Sequence, residues 1–153
     1  MRIPAVLCVA IAILLTALTT RELGGGGWAQ GLSAWGFGFA GLPLVAGHVL
    51  LTATVDLAVW AGVILCVVRA LLRAEPRWWL AAGALVGLGL FNKNLIVLLL
   101  IGLAGGLLAS GPRSAFRSGW LWVGAALAVV LASPNLVYQA THDWPQITMA
   151  GAL

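Results

Sequence analysis

The chain has 153 residues, of which 62% are hydrophobic and only 8% are charged, and its formal net charge is +4. A soluble domain carries about 25% charged residues and cannot bury this much apolar surface, so the composition excludes a soluble globular protein. The few basic residues are scattered between apolar segments and are not interleaved with aromatic residues, which argues against a nucleic-acid partner. We therefore predict an integral membrane protein surrounded by membrane lipids.

Six apolar segments predict membrane-spanning helices. A hydrocarbon core of about 30 Å needs roughly 20 helical residues, and the alternating pattern of a β-barrel strand is absent. The predicted spans cover about 3–19, 28–50, 55–72, 78–91, 95–109 and 119–138, of which the fourth and fifth are short. The sequence therefore predicts an all-α, polytopic membrane protein with one transmembrane domain over residues 1–153.

Prolines and glycines add detail to this pattern. The second span is rich in glycine and broken by Pro43, and Pro134 in the sixth should free a backbone carbonyl and kink the helix. "RELGGGG" (21–27) predicts a turn closed by a helix C-terminal glycine. Gly83/Gly87 and Gly102/Gly106 both have the spacing of close helix contacts.

The charges between the spans predict the orientation. The turns after the first, third and fifth spans carry six arginines: Arg21, Arg69, Arg73, Arg77, Arg113 and Arg117. Basic residues concentrate in cytoplasmic turns, so we expect the opposite helix ends, with Arg2 and Lys93, at the extracytoplasmic face. The N-terminus then starts outside with a two-residue tail, from which we expect a piece of a longer protein.

Nothing in the sequence predicts a metal centre or a nucleotide site. Cys8 and Cys66 lie deep in apolar segments and behave as small hydrophobic residues. His48 and His142, without a third ligand, give only a weak metal signal. "GGGGW" lacks the Lys-Ser/Thr of a P-loop. We identify no metal ligand set and no cofactor for this chain.

Polar residues gather at the predicted outer ends of the helices, in "HVLLTATVDLAVW" (48–60), "NKN" (92–94) and "SPNLVYQATHDWPQ" (133–146). Polar groups at membrane depth are costly and usually face a cavity, a partner or a substrate. The candidate substrate-binding residues are His48, Asp56, Lys93, Asn135, Gln139 and His142. Asn135 and Gln139, four residues apart, would share one helix face.

Each of these residues also has a purely structural interpretation. Asp56 either complements the helix macrodipole, with Thr52 or Thr54 as the cap, or accepts hydrogen bonds from sugar hydroxyls in an outer cavity. Lys93 either anchors the chain at the interface by snorkelling or pairs with an anionic headgroup. His48 and His142 are equally compatible with ordinary interfacial polar residues.

The four segments "RELGGGGWAQ", "HVLLTATVDLAVW", "GLGLFNKN" and "SPNLVYQATHDWPQ", in this order, resemble bacterial membrane glycosyltransferases of family 39, the protein-mannosyltransferase-like and Rgt-like type. The resemblance covers about residues 3–147. The residues of this chain that match motifs of that family are His48, Asp56, Lys93, Asn135, Gln139, His142 and Trp144. Asp143 stands where many relatives have glycine.

This resemblance implies a GT-C fold and transfer from a polyprenyl-phosphate-linked sugar at the extracytoplasmic face of the cell membrane. The acceptor would be a lipid, a glycan or a protein. The acidic catalytic residue would lie in a loop upstream of Met1, so we expect this piece alone to be inactive. A divalent metal in the full-length enzyme is compatible with the family.

The implied mechanism is a single displacement at the anomeric carbon, in which a carboxylate base activates the acceptor hydroxyl and the lipid phosphate leaves. Lys93 is the candidate partner of that phosphate. Two alternatives stay open. A transporter or flippase-like protein would also place charges in an outer cavity, although the inverted repeats that would favour it are not apparent. A structural membrane subunit would use the polar groups only to anchor helices.

Overall fold

The computed structural model describes residues 3–48, 52–92, 95–109 and 111–142. These residues form seven α-helices and one 3-10 helix, and no strand occurs among them. The α-helices are α1 (Ile3–Glu22), α2 (Gly27–Gly38), α3 (Gly41–His48), α4 (Thr52–Leu72), α5 (Trp78–Asn92), α6 (Ile96–Ala109) and α7 (Gly119–Thr141), and the 3-10 helix is Arg113–Arg117. The prediction of an all-α membrane protein is confirmed.

Three of the described helices are long and apolar enough to cross a membrane: α1, α4 and α7, with 20, 21 and 23 residues. α5 and α6 are apolar but have only 15 and 14 residues. The sequence therefore predicted correctly that the fourth and fifth apolar segments are short.

The second predicted span differs from the prediction, because it forms two helices. α2 ends at Gly38 and α3 begins at Gly41, so the break lies at Phe39 and Ala40. Pro43 is the third residue of α3 and is buried. Proline is tolerated in the first turn of a helix, where its missing N–H has no intrahelical partner. The break thus precedes Pro43, which is part of the helix that follows.

Glycines close the turn between α1 and α2. Gly24 has a φ of +87°, the left-handed conformation that commonly ends helices. The Gly25 N–H donates to the Thr20 carbonyl at 2.9 Å, and a Cβ on Gly25 would lie 2.6 Å from Thr20 Cγ2. The predicted helix-ending glycine signal is confirmed.

Specific contacts fix the helix directions. α1 and α4 run parallel, since Leu15 faces Gly62 and Glu22 pairs with Arg69. α5 packs antiparallel to α4 and parallel to α7. The bundle therefore has two distinct ends. We call them the arginine end, which holds the six arginines of the turns, and the polar end, which holds Asp56, Asn92 and Asn135.

α5 and α7 form the closest helix pair. A Cβ added to Gly83 would collide with the backbone of Gly124, and a Cβ on Gly124 would collide with the Trp79 carbonyl. A Cβ on Gly87 would lie 2.7 Å from Leu131 Cβ. The Gly83/Gly87 spacing thus serves a contact within the chain, whereas Cβ atoms on Gly102 or Gly106 would meet nothing within 4 Å.

Candidate functional site

The polar end is organised by a hydrogen bond between α4 and α5. Asn92, the last residue of α5, donates from Nδ2 to Asp56 Oδ1 at 2.7 Å and to the Thr52 carbonyl at 2.8 Å. Asp56 is only 8% exposed, so its carboxylate is fixed by this contact. Its second oxygen, Oδ2, has no hydrogen-bond partner among the described residues.

This geometry changes the structural interpretation of Asp56. α4 begins at Thr52 as described, and no acidic residue lies in its first turn. Asp56 therefore does not complement the helix N-terminus in the way that a first-turn acid does. The Thr54 hydroxyl, which was considered as a cap, donates to the Ala46 carbonyl at 3.2 Å and ties α3 to α4. Sequence reasoning missed both of these links between helices.

Asn135 connects α7 to the same region. Its Nδ2 donates to the Leu90 carbonyl at 2.8 Å, two residues before Asn92 in α5. Pro134 stands inside α7 and cannot donate to the Val130 carbonyl. The Ser133 hydroxyl donates to that carbonyl at 2.7 Å, so a neighbouring side chain satisfies the group that the proline frees.

Gln139 lies one turn beyond Asn135, on the predicted common face. It is 3% exposed, and its Oε1 is buried without a hydrogen-bond partner in the described part of the chain. The Trp60 indole N–H, one turn from Asp56 on α4, is likewise buried and unpartnered among the described residues. A buried polar atom without a partner is costly, so both atoms are candidates for contact with a bound group.

The two histidines are exposed and bonded to their own helices. His48 Nδ1 lies 2.8 Å from the Leu44 carbonyl. His142 Nδ1 lies 3.0 Å from the Tyr138 carbonyl, and its ring stacks on Tyr138 with centroids 4.2 Å apart. Among the described residues, no hydrogen bond links either histidine to Asp56. In the described part of the chain, neither imidazole makes a hydrogen bond through Nε2.

Three residues singled out from the sequence lie outside the described residues: Lys93, Asp143 and Trp144. Of the six candidate binding residues, the structure thus describes His48, Asp56, Asn135, Gln139 and His142. It joins Asp56 and Asn135 to the last turn of α5, through Asn92 and Leu90. No cluster of three His, Cys, Asp or Glu side chains occurs in the described ranges.

The arginine end is held by one acidic residue. Glu22 accepts from Arg69 Nε at 2.9 Å and from Arg73 Nε at 2.8 Å. This hydrogen bonding raises the pKa of Arg73 above its ordinary value. The Arg69 guanidinium also lies 4.6 Å from the ring centroid of Trp78, a cation–π contact. These contacts join the ends of α1, α4 and α5.

Comparison with known proteins agrees with this architecture. The family model described as dolichyl-phosphate-mannose-protein mannosyltransferase matches residues 1–138. That stretch contains Asp56, Asn92 and Asn135, and it ends just before Gln139. Searches of curated proteins and of solved structures gave no significant match. Since the family model covers most of the chain, the protein belongs to the dolichyl-phosphate-mannose-protein mannosyltransferase family of membrane glycosyltransferases.

Proposed function

We propose that the polar end binds the headgroup of a polyprenyl-phosphate-linked sugar and that transfer takes place there, at the extracytoplasmic face of the cell membrane. The observation that carries this proposal is the fixed carboxylate of Asp56, buried at one end of the bundle with one oxygen held by Asn92. A buried carboxylate can accept hydrogen bonds from sugar hydroxyls, and the chain belongs to a family of sugar-transferring membrane enzymes.

The arginine distribution supports the proposed orientation. All six arginines of the turns lie at the end opposite Asp56, and basic turns are retained in the cytosol. The polar end then faces the extracytoplasmic side. A lipid-linked donor with its phosphate at that interface would bring its sugar to the level of the helix ends.

Asp56 and its neighbours suit binding better than proton transfer. A carboxylate with one oxygen bonded to an amide is oriented, and its second oxygen accepts from a sugar hydroxyl as a charge-assisted hydrogen bond. Gln139 Oε1 offers a second buried acceptor. Lys93 follows Asn92 in the sequence, and we propose that its ammonium pairs with the donor phosphate.

The test separates recognition of the sugar from recognition of the lipid. Purified protein in detergent is titrated with polyprenyl-phosphate mannose and with polyprenyl phosphate that has no sugar. Asp56→Asn should weaken binding of the sugar-bearing lipid roughly tenfold or more, because a charge-assisted bond is lost. It should leave binding of the sugar-free lipid unchanged.

Lys93→Gln should weaken binding of both lipids. Val137→Ala, a substitution at an exposed position of α7, is the control and should change neither. Equal loss of both lipids in Asp56→Asn would remove the sugar-binding assignment. Failure of the wild-type protein to bind either lipid would remove the proposed donor.

A further inference from the structure

An apolar groove runs along the bundle from the arginine end to Leu90 on α5. It encloses a cavity of about 340 Å³ between α4, α5, α6 and α7. Its walls include Val67, Trp79, Leu103, Leu107 and Ala125. Every side chain that lines it is apolar, so it would exclude a sugar or a nucleotide and accept a hydrocarbon chain.

The groove exists because α6 and α7 hardly touch in the described residues, although they are consecutive α-helices. Its α7 wall runs from Leu121 to Val129, a rise of about 12 Å. Its end at the membrane surface is formed by Phe116, in the 3-10 helix that joins α6 to α7. The groove thus begins at an interface, and its α5 wall continues to Leu90 near the other end of the bundle.

The two arginines that flank Phe116 have no acidic partner among the described residues. Phe116 stands between Arg113 and Arg117, which are both exposed. Arg113 contacts only the Leu108 carbonyl, at 3.4 Å, and Arg117 has no polar partner among the described residues. No acidic residue occurs between Glu75 and Asp143 in the sequence. On the other side of the same end, Glu22 binds Arg69 and Arg73.

We propose that this groove is a binding site for one anionic phospholipid, with an acyl chain between α6 and α7 and the phosphate at Arg113 and Arg117. The ligand needs a hydrocarbon tail for the walls and a negative headgroup for the two arginines, and an anionic membrane lipid has both. The two arginines proposed to hold the phosphate lie at the end of the bundle opposite Asp56, and none of the side chains that line the groove is a proposed sugar-binding residue.

The experiment measures lipid retention by native mass spectrometry of the purified protein, with phosphatidylglycerol and phosphatidylcholine of matched acyl chains. The wild-type protein should retain one phosphatidylglycerol in preference to phosphatidylcholine. The Arg113→Gln/Arg117→Gln double variant should lower phosphatidylglycerol affinity roughly tenfold and abolish the preference. Arg21→Gln, which removes an arginine of the same end beside α2, is the matched control and should change nothing.

A second variant tests the groove itself. Ala125→Trp, which places a large ring in the cavity, should lower the affinity for both phospholipids. Equal retention of the two lipids by the wild-type protein, or an unchanged preference in the double arginine variant, would overturn the proposal. Displacement of phosphatidylglycerol by polyprenyl phosphate at equal concentration would also overturn it, since the groove would then hold the donor's tail. The arginine variants, being surface changes, keep the test decisive if Ala125→Trp does not fold.

Discussion

Asp56 and Asn92 meet at 2.7 Å although 36 residues separate them in the chain. The bond joins the beginning of α4 to the end of α5, and the same Nδ2 also reaches the Thr52 carbonyl. One amide therefore fixes both the carboxylate and the register of the two helices. The proposed sugar site depends on this hydrogen bond, because without it the Asp56 carboxylate would not be held in one position relative to α5.

The first prediction concerns the stability that this bond provides. Asn92→Ala should lower the free energy of unfolding by about 1–2 kcal/mol, because it leaves a buried carboxylate oxygen unpaired. Asn92→Asp should cost more, since two carboxylates would then face each other. Thermal unfolding in detergent, followed by helical circular dichroism, measures both. Thr141→Ala, an exposed change at the same end, is the control. An Asn92→Ala protein as stable as wild type would show that the bond does not hold the helices.

The second prediction concerns the glycine contact between α5 and α7. Gly124→Ala should destabilise the protein by about 1–3 kcal/mol, because its methyl group would meet the Trp79 backbone, which cannot move without separating the helices. Gly102→Ala should be neutral or stabilising, since its methyl group would enter open space and alanine favours helix. Unfolding midpoints of the two variants, measured in one detergent, test the contrast. Equal midpoints would contradict the packing described for α5 and α7.

These two glycine pairs show what the sequence could and could not predict. Gly83/Gly87 and Gly102/Gly106 have identical spacing, yet a Cβ on either residue of the first pair would collide with α7, whereas a Cβ on either residue of the second would meet nothing within 4 Å in the described part of the chain. The spacing indicates that another helix can approach closely, but it does not show which helix packs against the glycines. Helix ends were more predictable, because arginines, asparagines and glycines mark where apolar segments stop. The break at Phe39 and Ala40 was misplaced, since a proline inside an apolar segment does not tell whether it ends a helix or begins one.

The site was predicted as a set of residue types at one end of the bundle, and the helix directions do gather Asp56, Asn92 and Asn135 there. Their hydrogen-bond partners could not be predicted. Thr54, which with Thr52 was one of two candidate caps, bonds across to Ala46. Such pairings depend on helix register and rotation, which are set by the packing of the whole bundle. Whether the candidate residues bind a donor stays a prediction.

The third prediction tests Asn135 as a donor. Its amide gives a hydrogen bond to the Leu90 carbonyl, so Asn135→Asp would place a carboxylate against a carbonyl oxygen. We expect Asn135→Asp to lose about 1–3 kcal/mol of stability, and Asn135→Ala to lose less, because alanine removes the bond without adding repulsion. Chemical denaturation in mixed micelles measures the free energy of unfolding of each variant and shows which is the less stable. If Asn135→Ala proved less stable than Asn135→Asp, the amide nitrogen would not be the group that faces the Leu90 carbonyl.

The fourth prediction concerns sidedness, on which the extracytoplasmic assignment rests. The two cysteines, Cys8 and Cys66, are first replaced, which gives a background without thiols. Single cysteines are then introduced at the exposed positions Ser114, at the arginine end, and Thr141, at the polar end. In sealed spheroplasts an impermeant maleimide should label Thr141→Cys and not Ser114→Cys, because basic turns are retained in the cytosol. After permeabilisation both introduced cysteines should react, which controls for their reactivity.

Labelling of Ser114→Cys alone in sealed cells would show that the orientation in the membrane is the reverse of the predicted one. Asp56 would then face the cytosol, and transfer at the outer face would be excluded.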